Sequence, residues 1–248
     1  MRRPVKRDDS TRGVPRFAFG SSVIPDGASV LDFGCHKGAF GKVLAPRRTV
    51  RYVGIDKSQD AVRGAEAGLD VRNYSFPLPF ADEEFDVVTM FEVLEHIKDQ
   101  HRVLREVHRV LRPGGSLVVS VPRQHVFSFM DLGNLKFRLP RVHKWYYSRT
   151  RSPQAYSVRY ERSPDGLVGD VEVEKRWHQH FSKREMDELL AGAGFRLAEV
   201  DGVGLFAQPL GIIGYVLGGR VEWIRRLQEW DSYAFESSSL ICVAKKVA

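Results

Sequence analysis

Short apolar runs bounded by glycine, proline or charge recur along the first half of the chain. They alternate with stretches of helical periodicity. Ser29-Val30-Leu31-Asp32-Phe33 is a compact apolar run entering a glycine turn, as a buried strand would. Val50–Ile55 alternates into a second strand ending at Asp56, and Leu69–Asn73 reads as a third. Phe85–Met90 and Ser116–Val121 are nearly continuous apolar runs, the pattern of strands buried on both faces. Between these runs, Ala39–Ala45 reads as a helix with Pro46 behind it, and Ser58 caps a helix to about Ala67. Gln100–Leu111 places Val103, Leu104, Val107, Val110 and Leu111 at helical spacing, and Pro113-Gly114-Gly115 stops it. Ser182-Lys183-Arg184-Glu185 is a capping box that opens a helix to about Ala193. Gly194 ends that helix, and Phe195–Val200 and Ser238–Ala244 read as the last strands.

Strand and helix in alternation imply right-handed βαβ units. The expected class is α/β: a Rossmann-like, mostly parallel sheet of about seven strands with helices on both faces. Residues 1–25 are polar, basic and turn-rich, and read as a mobile lead-in to one domain over 26–248. The rhythm breaks after the fifth strand, where 123–180 reads as a basic, aromatic insertion placed to cap the substrate site. Residues 203–230 form an apolar and then amphipathic elaboration. Its uncharged stretch, Val203–Gly219, is shorter than the roughly 20 residues of a spanning helix and contains Pro209.

Charge sharpens this picture at one place only. The net charge is +7. From Arg123 to Arg162 there are nine Lys and Arg against Asp131 and Glu161, so the excess belongs to the insertion and the remainder balances. A local charge points to a local partner. Two distant cysteines, Cys35 and Cys242, argue against a disulfide framework and for a reducing cytoplasm. The basic start has no apolar core behind it and is no secretory signal.

The turn Asp32-Phe33-Gly34-Cys35-His36-Lys37-Gly38 follows a strand and opens a helix, the context in which backbone can approach a nucleotide-like ligand. Asp56 stands 18 positions after Gly38, at a strand end where a carboxylate can take both ribose hydroxyls of an adenosine. A dinucleotide-binding oxidoreductase is the other use of such a turn. It leaves Pro77-Leu78-Pro79-Phe80 and Glu95-His96 without a role. With these elements in order, followed by Glu92-Val93-Leu94-Glu95-His96-Ile97, Leu111-Arg112-Pro113-Gly114-Gly115 and Ala193-Gly194-Phe195, the chain resembles the class I S-adenosylmethionine-dependent methyltransferases over roughly 150 residues. The resemblance implies S-adenosylmethionine as cofactor. Asp32, Gly34 and Gly38 would then shape the pocket for its methionyl part. Asp56 would hold the ribose with Lys57 beside the adenine. Asn73, where the family usually has Asp, and Tyr74 would line the adenine pocket. Phe91 and Glu92 would form the floor under the methionine. His36 stands where the family has a small residue, so its side chain must point away from the ligand.

Methyl transfer needs alignment above all, and an oxygen acceptor also needs a base near its proton. If the chain turns helical after Met90, Glu92, Glu95 and His96 share one face. His178 and His180 precede the capped helix, in a loop that returns over the strand ends. His180, His96 and Glu95 are therefore the candidate catalytic residues. Some relatives in this class hold a divalent cation on Glu-x-x-Glu-His plus a later His, which implies Mg or Mn as a further cofactor. The competing reading is a structural turn. His101, His108, His125 and His143 read as surface residues. No Asn/Asp-Pro-Pro-Tyr/Phe follows the fourth strand, and both cysteines fall in the framework, so DNA-base N-methylation and cytosine C5-methylation are disfavoured.

The insertion mixes aromatics with its basic residues, which suits a phosphorylated, nucleotide-linked or lipid-linked glycan. RNA is the competing partner, and a merely solvated basic surface is the third reading. Trp223, Leu227 and Trp230 lie at i, i+4 and i+7 near Arg220, Arg225 and Arg226. That stripe suits peripheral contact with a membrane, a homodimer face or a buried lid. The expected activity is methyl transfer to a hydroxyl of a sugar, glycolipid or other small molecule. The rivals are an RNA methyltransferase and a non-catalytic Rossmann-like scaffold.

Overall fold

The computed structural model describes residues 15–124, 138–150, 152–157, 161, 179–203, 206, 210, 213, 223–224, 226–227, 230 and 239–247. Seven strands form one sheet: β1 (Ser29–Phe33), β2 (Arg51–Asp56), β3 (Val71–Asn73), β4 (Phe85–Phe91), β5 (Leu111–Pro122), β6 (Phe195–Val203) and β7 (Ser239–Lys246). Their order is β3-β2-β1-β4-β5-β7-β6. All pairings from β3 across to β5 are parallel, and β7 lies antiparallel between β5 and β6. The expected α/β class and seven-stranded sheet are what the chain forms.

The period-2 alternation of strand side chains sorts the core onto two faces. On one face Leu31, Phe33, Val88, Met90 and Val119 pack against Leu104 and Val107 of α4 (Gln100–Val110) and Met186 and Leu190 of α7 (Lys183–Ala191). On the other, Val30, Val87 and Val118 pack with Ile24 and with Phe40 and Leu44 of α2 (Ala39–Leu44). α3 (Gln59–Arg63) starts as expected, with the Ser58 hydroxyl accepting from Ala61 N, but stops at Gly64, before the expected Ala67. The Ser182–Glu185 capping box is present with both its hydrogen bonds. α4 ends one residue earlier than its apolar spacing implies. Leu111 takes extended geometry (ψ 139°) and pairs with Phe85, because Pro113 disfavours helix at Arg112.

The first 25 residues are not wholly a lead-in. Pro15–Val23 forms α1. Phe17 packs on Phe40 and Phe91, and Phe19 packs with Ile241 and Val243. Proline opening the helix is compatible with its missing N–H. The basic residues before it mask the signal.

The insertion leaves and re-enters the sheet domain at one point. Gln124 N donates to Phe181 O (2.9 Å), and Phe181 N donates to Pro122 O (2.8 Å). Within it, α5 (Pro140–Thr150) packs on α6 (Pro153–Tyr156). His143, expected at the surface, is 9% exposed there, 6.0 Å from the Tyr147 ring and 5.7 Å from the Tyr156 ring. Most of 203–230, His125 and His178 lie outside the described residues. Among those described, no helix is long and apolar enough to cross a membrane.

Candidate functional site

β2 and β3 lie on one side of β1, and β4 and β5 on the other. The carboxyl ends of β1 and β4 therefore flank the point where the winding reverses, which is where open α/β sheets bind ligands. The glycine turn sits there. Gly34 N and Cys35 N both donate to Ile55 O (2.8 and 3.1 Å), tying the turn to the end of β2. Gly34 (φ +74°) and Gly38 (φ +85°) hold left-handed backbone. A Cβ at Gly34 would stand 2.5 Å from Val93 Cγ2, and one at Gly38 2.7 Å from Leu69 Cδ1. Neither position has room for a side chain.

His36 is left-handed too (φ +49°), which is why a small residue suits the position, and it is exposed. Its N–H donates to Asp56 Oδ2 (2.7 Å), while Ser58 N donates to Asp56 Oδ1 (2.9 Å). Each oxygen of this half-buried carboxylate thus holds one backbone N–H and keeps a second acceptor direction. Asn73 spends both amide donors on the main chain, giving 2.9 Å to Asp56 O and 2.8 Å to Lys57 O. Its Oδ1 is the acceptor end. An Asp here would set carboxylate oxygen against two carbonyls. Asn thus supplies an acceptor at the rim while bracing the β2 end. Lys57 is exposed beside it.

Asp32 is different in kind. It is 2% exposed, and its oxygens accept from Tyr52 Oη and Thr89 Oγ1, both at 2.7 Å. Burial pushes its carboxyl up to about 6, against the two hydroxyl hydrogen bonds. It lies beneath the turn, at the interior of the sheet. Tyr74 is also interior, with its ring 5.0 Å from Phe33.

At the end of β4, Phe91 turns its ring onto α1 and α2, 5.4 Å from Phe17 and 4.8 Å from Phe40. Gly20 has no side chain because a Cβ would meet Phe91 Cζ at 2.6 Å. The chain does not become α-helical after Met90. β4 continues through Phe91, Glu92 is left-handed (φ +56°), and only a 3₁₀ turn follows at Leu94–His96. Glu92, Glu95 and His96 therefore do not share a helix face. Glu92 N donates to Ser120 O (3.0 Å), and its Oε1 accepts from Ser120 Oγ (2.8 Å). Glu95 is fully buried, with Oε1 3.7 Å from His96 Nε2. Among the described residues no three His, Cys, Asp or Glu side chains are grouped to hold a metal ion. His178 is not among them.

His180 is half-buried beside the insertion neck. Gln100 Nε2 donates to Leu94 O (2.8 Å) and to Gln179 Oε1 (3.0 Å), joining the 3₁₀ turn to the residue before His180. Tyr52, Thr89, Ser120 and Gln100 are missing from the sequence-derived site. Thr89 and Ser120 were detectable as polar residues in otherwise apolar strands, and Thr89 pairs directly with Asp32. The Gln100 contact spans 79 positions and leaves no local trace.

A family model described as methyltransferase domain matches residues 7–200. A probable S-adenosylmethionine-dependent methyltransferase of Mycolicibacterium smegmatis is 38% identical over 106 residues, 41% of each chain. A ubiquinone biosynthesis O-methyltransferase of Pseudomonas aeruginosa is 32% identical over 128 residues, 46% of this chain and 55% of that one. The chain thus spans about half the length of the curated relatives it matches. An S-adenosylmethionine-dependent methyltransferase structure from Methanosarcina mazei aligns with TM-score 0.54 and 19% identity, over 92% of this chain and 97% of that one. One from Mesorhizobium loti aligns with TM-score 0.55 and 18% identity, over 94% and 99%. The structural likenesses speak for the fold, and the family model takes in the glycine turn, Asp56 and the Glu95-His96 turn together. On that match the chain belongs to the methyltransferase-domain family, within the class I S-adenosylmethionine-dependent group.

Proposed function

We propose that this chain binds S-adenosylmethionine at the β1–β4 reversal and transfers its methyl group to a hydroxyl of a sugar, glycolipid or other small molecule. The observation that carries the reading is Asp56: a carboxylate at the end of β2, oriented by His36 N and Ser58 N, with one acceptor direction left on each oxygen. Two acceptor directions side by side fit the two hydroxyl donors of a vicinal diol. Asn73 Oδ1 stands at the same strand end and suits an exocyclic amine. Lys57 lies alongside. Gly34 and Gly38 let the main chain come close, and Asp32 and Tyr74 support the turn and the adenine side from behind. Phe91 and Glu92, fixed by Phe40 and Ser120, form the floor.

When bound, the cofactor supplies a methyl group already activated on a sulfonium. What remains for the protein is alignment and a proton acceptor. His180 takes the acceptor's proton in this reading, with His96 backed by Glu95 as the second candidate. The Gln100 contacts support it by holding the two segments together. An oxygen acceptor is favoured because curated relatives from Pseudomonas are O-methyltransferases by name. The insertion, basic and closed at its neck, is the proposed acceptor cap.

Calorimetry with S-adenosylmethionine and S-adenosylhomocysteine, with and without Mg or Mn, tests the reading. Micromolar binding is expected, weakened about a hundredfold by Asp56→Ala as two hydrogen bonds to a charged group are lost. No binding by either protein overturns it and leaves the non-catalytic scaffold, whereas an Asp56→Ala protein that binds as tightly as a binding parent overturns the role given to Asp56.

A further inference from the structure

The outer face of α5 is both apolar and basic. Val142 and Trp145 are exposed on it, Trp145 by 65%. Arg138, Arg141 and Arg149 are exposed as well; at 3.6 residues per turn Val142, Trp145 and Arg149 form one stripe, and Arg138 lies just before the helix starts. Leu139, also exposed, borders it. The helix carries no acidic residue. Its other side is occupied, with His143 buried among Tyr147 and Tyr156.

A second segment repeats the composition. Residues 223, 224, 226, 227 and 230 occupy helical positions. Ile224 is 3% exposed, whereas Trp223, Leu227 and Trp230 are open to solvent, together with Arg226.

We propose that these two faces seat the protein on an anionic lipid bilayer. Guanidinium groups meet lipid phosphates, indole rings sit at headgroup depth, and aliphatic side chains enter the acyl boundary. The aliphatic residues decide between lipid and RNA. Arginine and tryptophan serve either partner, but exposed Leu139, Val142 and Leu227 have no stacking or hydrogen-bonding use on a nucleic acid. No membrane-crossing helix is needed, since binding lies in the interface plane. The inference rests on exposed side chains alone and stands whether or not the chain transfers methyl groups.

The test is co-sedimentation of the full chain with vesicles of phosphatidylcholine, and of equal parts phosphatidylcholine and phosphatidylglycerol, read beside tryptophan fluorescence. Binding to the anionic vesicles is expected, with a blue-shifted emission and weakening in high salt. The triple variant Arg138→Glu, Arg141→Glu, Arg149→Glu should bind about a hundredfold more weakly, at about one kcal/mol for each arginine lost. Trp145→Ser, and Trp223→Ser with Trp230→Ser, should each weaken binding about tenfold or more while the thermal midpoint stays at the parent value. No binding to anionic vesicles, equal binding to neutral ones, or variants that bind like the parent would overturn the proposal. So would RNA binding in the absence of vesicle binding.

Discussion

Asp32 is a buried carboxylate gripped by two hydroxyls, and its ordinary value of 3.8 is raised to about 6 by burial. Between those values the native state keeps a proton that the unfolded chain has released. Stability therefore falls as pH rises from about 4 to about 6, and at neutral pH the buried charge costs up to about 3 kcal/mol. Asp32→Asn keeps the shape and removes the charge. Its urea midpoint should exceed the parent's at neutral pH, with the gap closing as pH falls through 6 towards 4. Parallel profiles for the two proteins would show that Asp32 does not titrate in that window. Asp32 itself was readable from sequence as part of the glycine turn. Its burial was not, because the hydroxyls that hold it come from β2 and β4, and only the sheet register brings them together. The same holds for Asn73. Its place in the strand pattern was plain, whereas its use of both amide protons on the chain at 56 and 57 depends on how β3 docks.

At the scale of elements, the Pro77-Leu78-Pro79-Phe80 loop supported the family resemblance, and the structure gives it a physical job. Arg109 of α4 donates to Leu78 O (3.0 Å) and Phe80 O (2.8 Å) and pairs with Glu106 and Asp82, while Glu106 accepts from Leu78 N (2.8 Å). One side-chain pair thus clamps the loop to a helix. The hydrogen bond and charge of Arg109 hold the Glu106 carboxyl below its usual range, against the opposing effect of burial. Stability from this group is present above its ordinary value of 4.5 and lost as pH falls through the lowered one. Arg109→Ala should cost about 2–3 kcal/mol at neutral pH, by denaturant melting, and should flatten that acid limb. Arg109→Lys should recover only part, since an ammonium lacks the planar fork. A neutral Arg109→Ala would mean the loop is held by Leu78 and Phe80 packing alone. Helix periods, caps and the seven strands were legible because each is a local pattern. α1 was not, because a basic run precedes it and its partners Ile241 and Val243 are more than two hundred residues away.

At the scale of the whole molecule, among the described residues the insertion joins the sheet domain at a neck marked by two backbone hydrogen bonds at Phe181 and by the Gln100–Gln179 side-chain contact. A chain whose ends are already adjacent can be shortened at small entropic cost. Replacing 125–178 with a short glycine-serine linker should therefore leave a folded, cooperatively melting protein that still binds S-adenosylmethionine, while transfer to the acceptor is lost. A collapsed or molten product would mean that the insertion belongs to the core. The charge asymmetry that marked this segment was visible at once, since it is a matter of counting. Which of its residues turn inward was not, and His143 shows why: its burial needs Tyr156 of the next helix beside Tyr147 one turn along its own, and no local pattern announces how the two helices pack.

The placing of β7 between β5 and β6 carries a consequence for synthesis. β5 and β6 have no direct pairing, so until residues 239–246 emerge from the ribosome the β6 segment has no hydrogen-bonded seat in the sheet and one edge of β5 stays open. An open strand edge invites pairing with other chains. A nascent chain stalled before that point should therefore depend on chaperones, and the finished one should not.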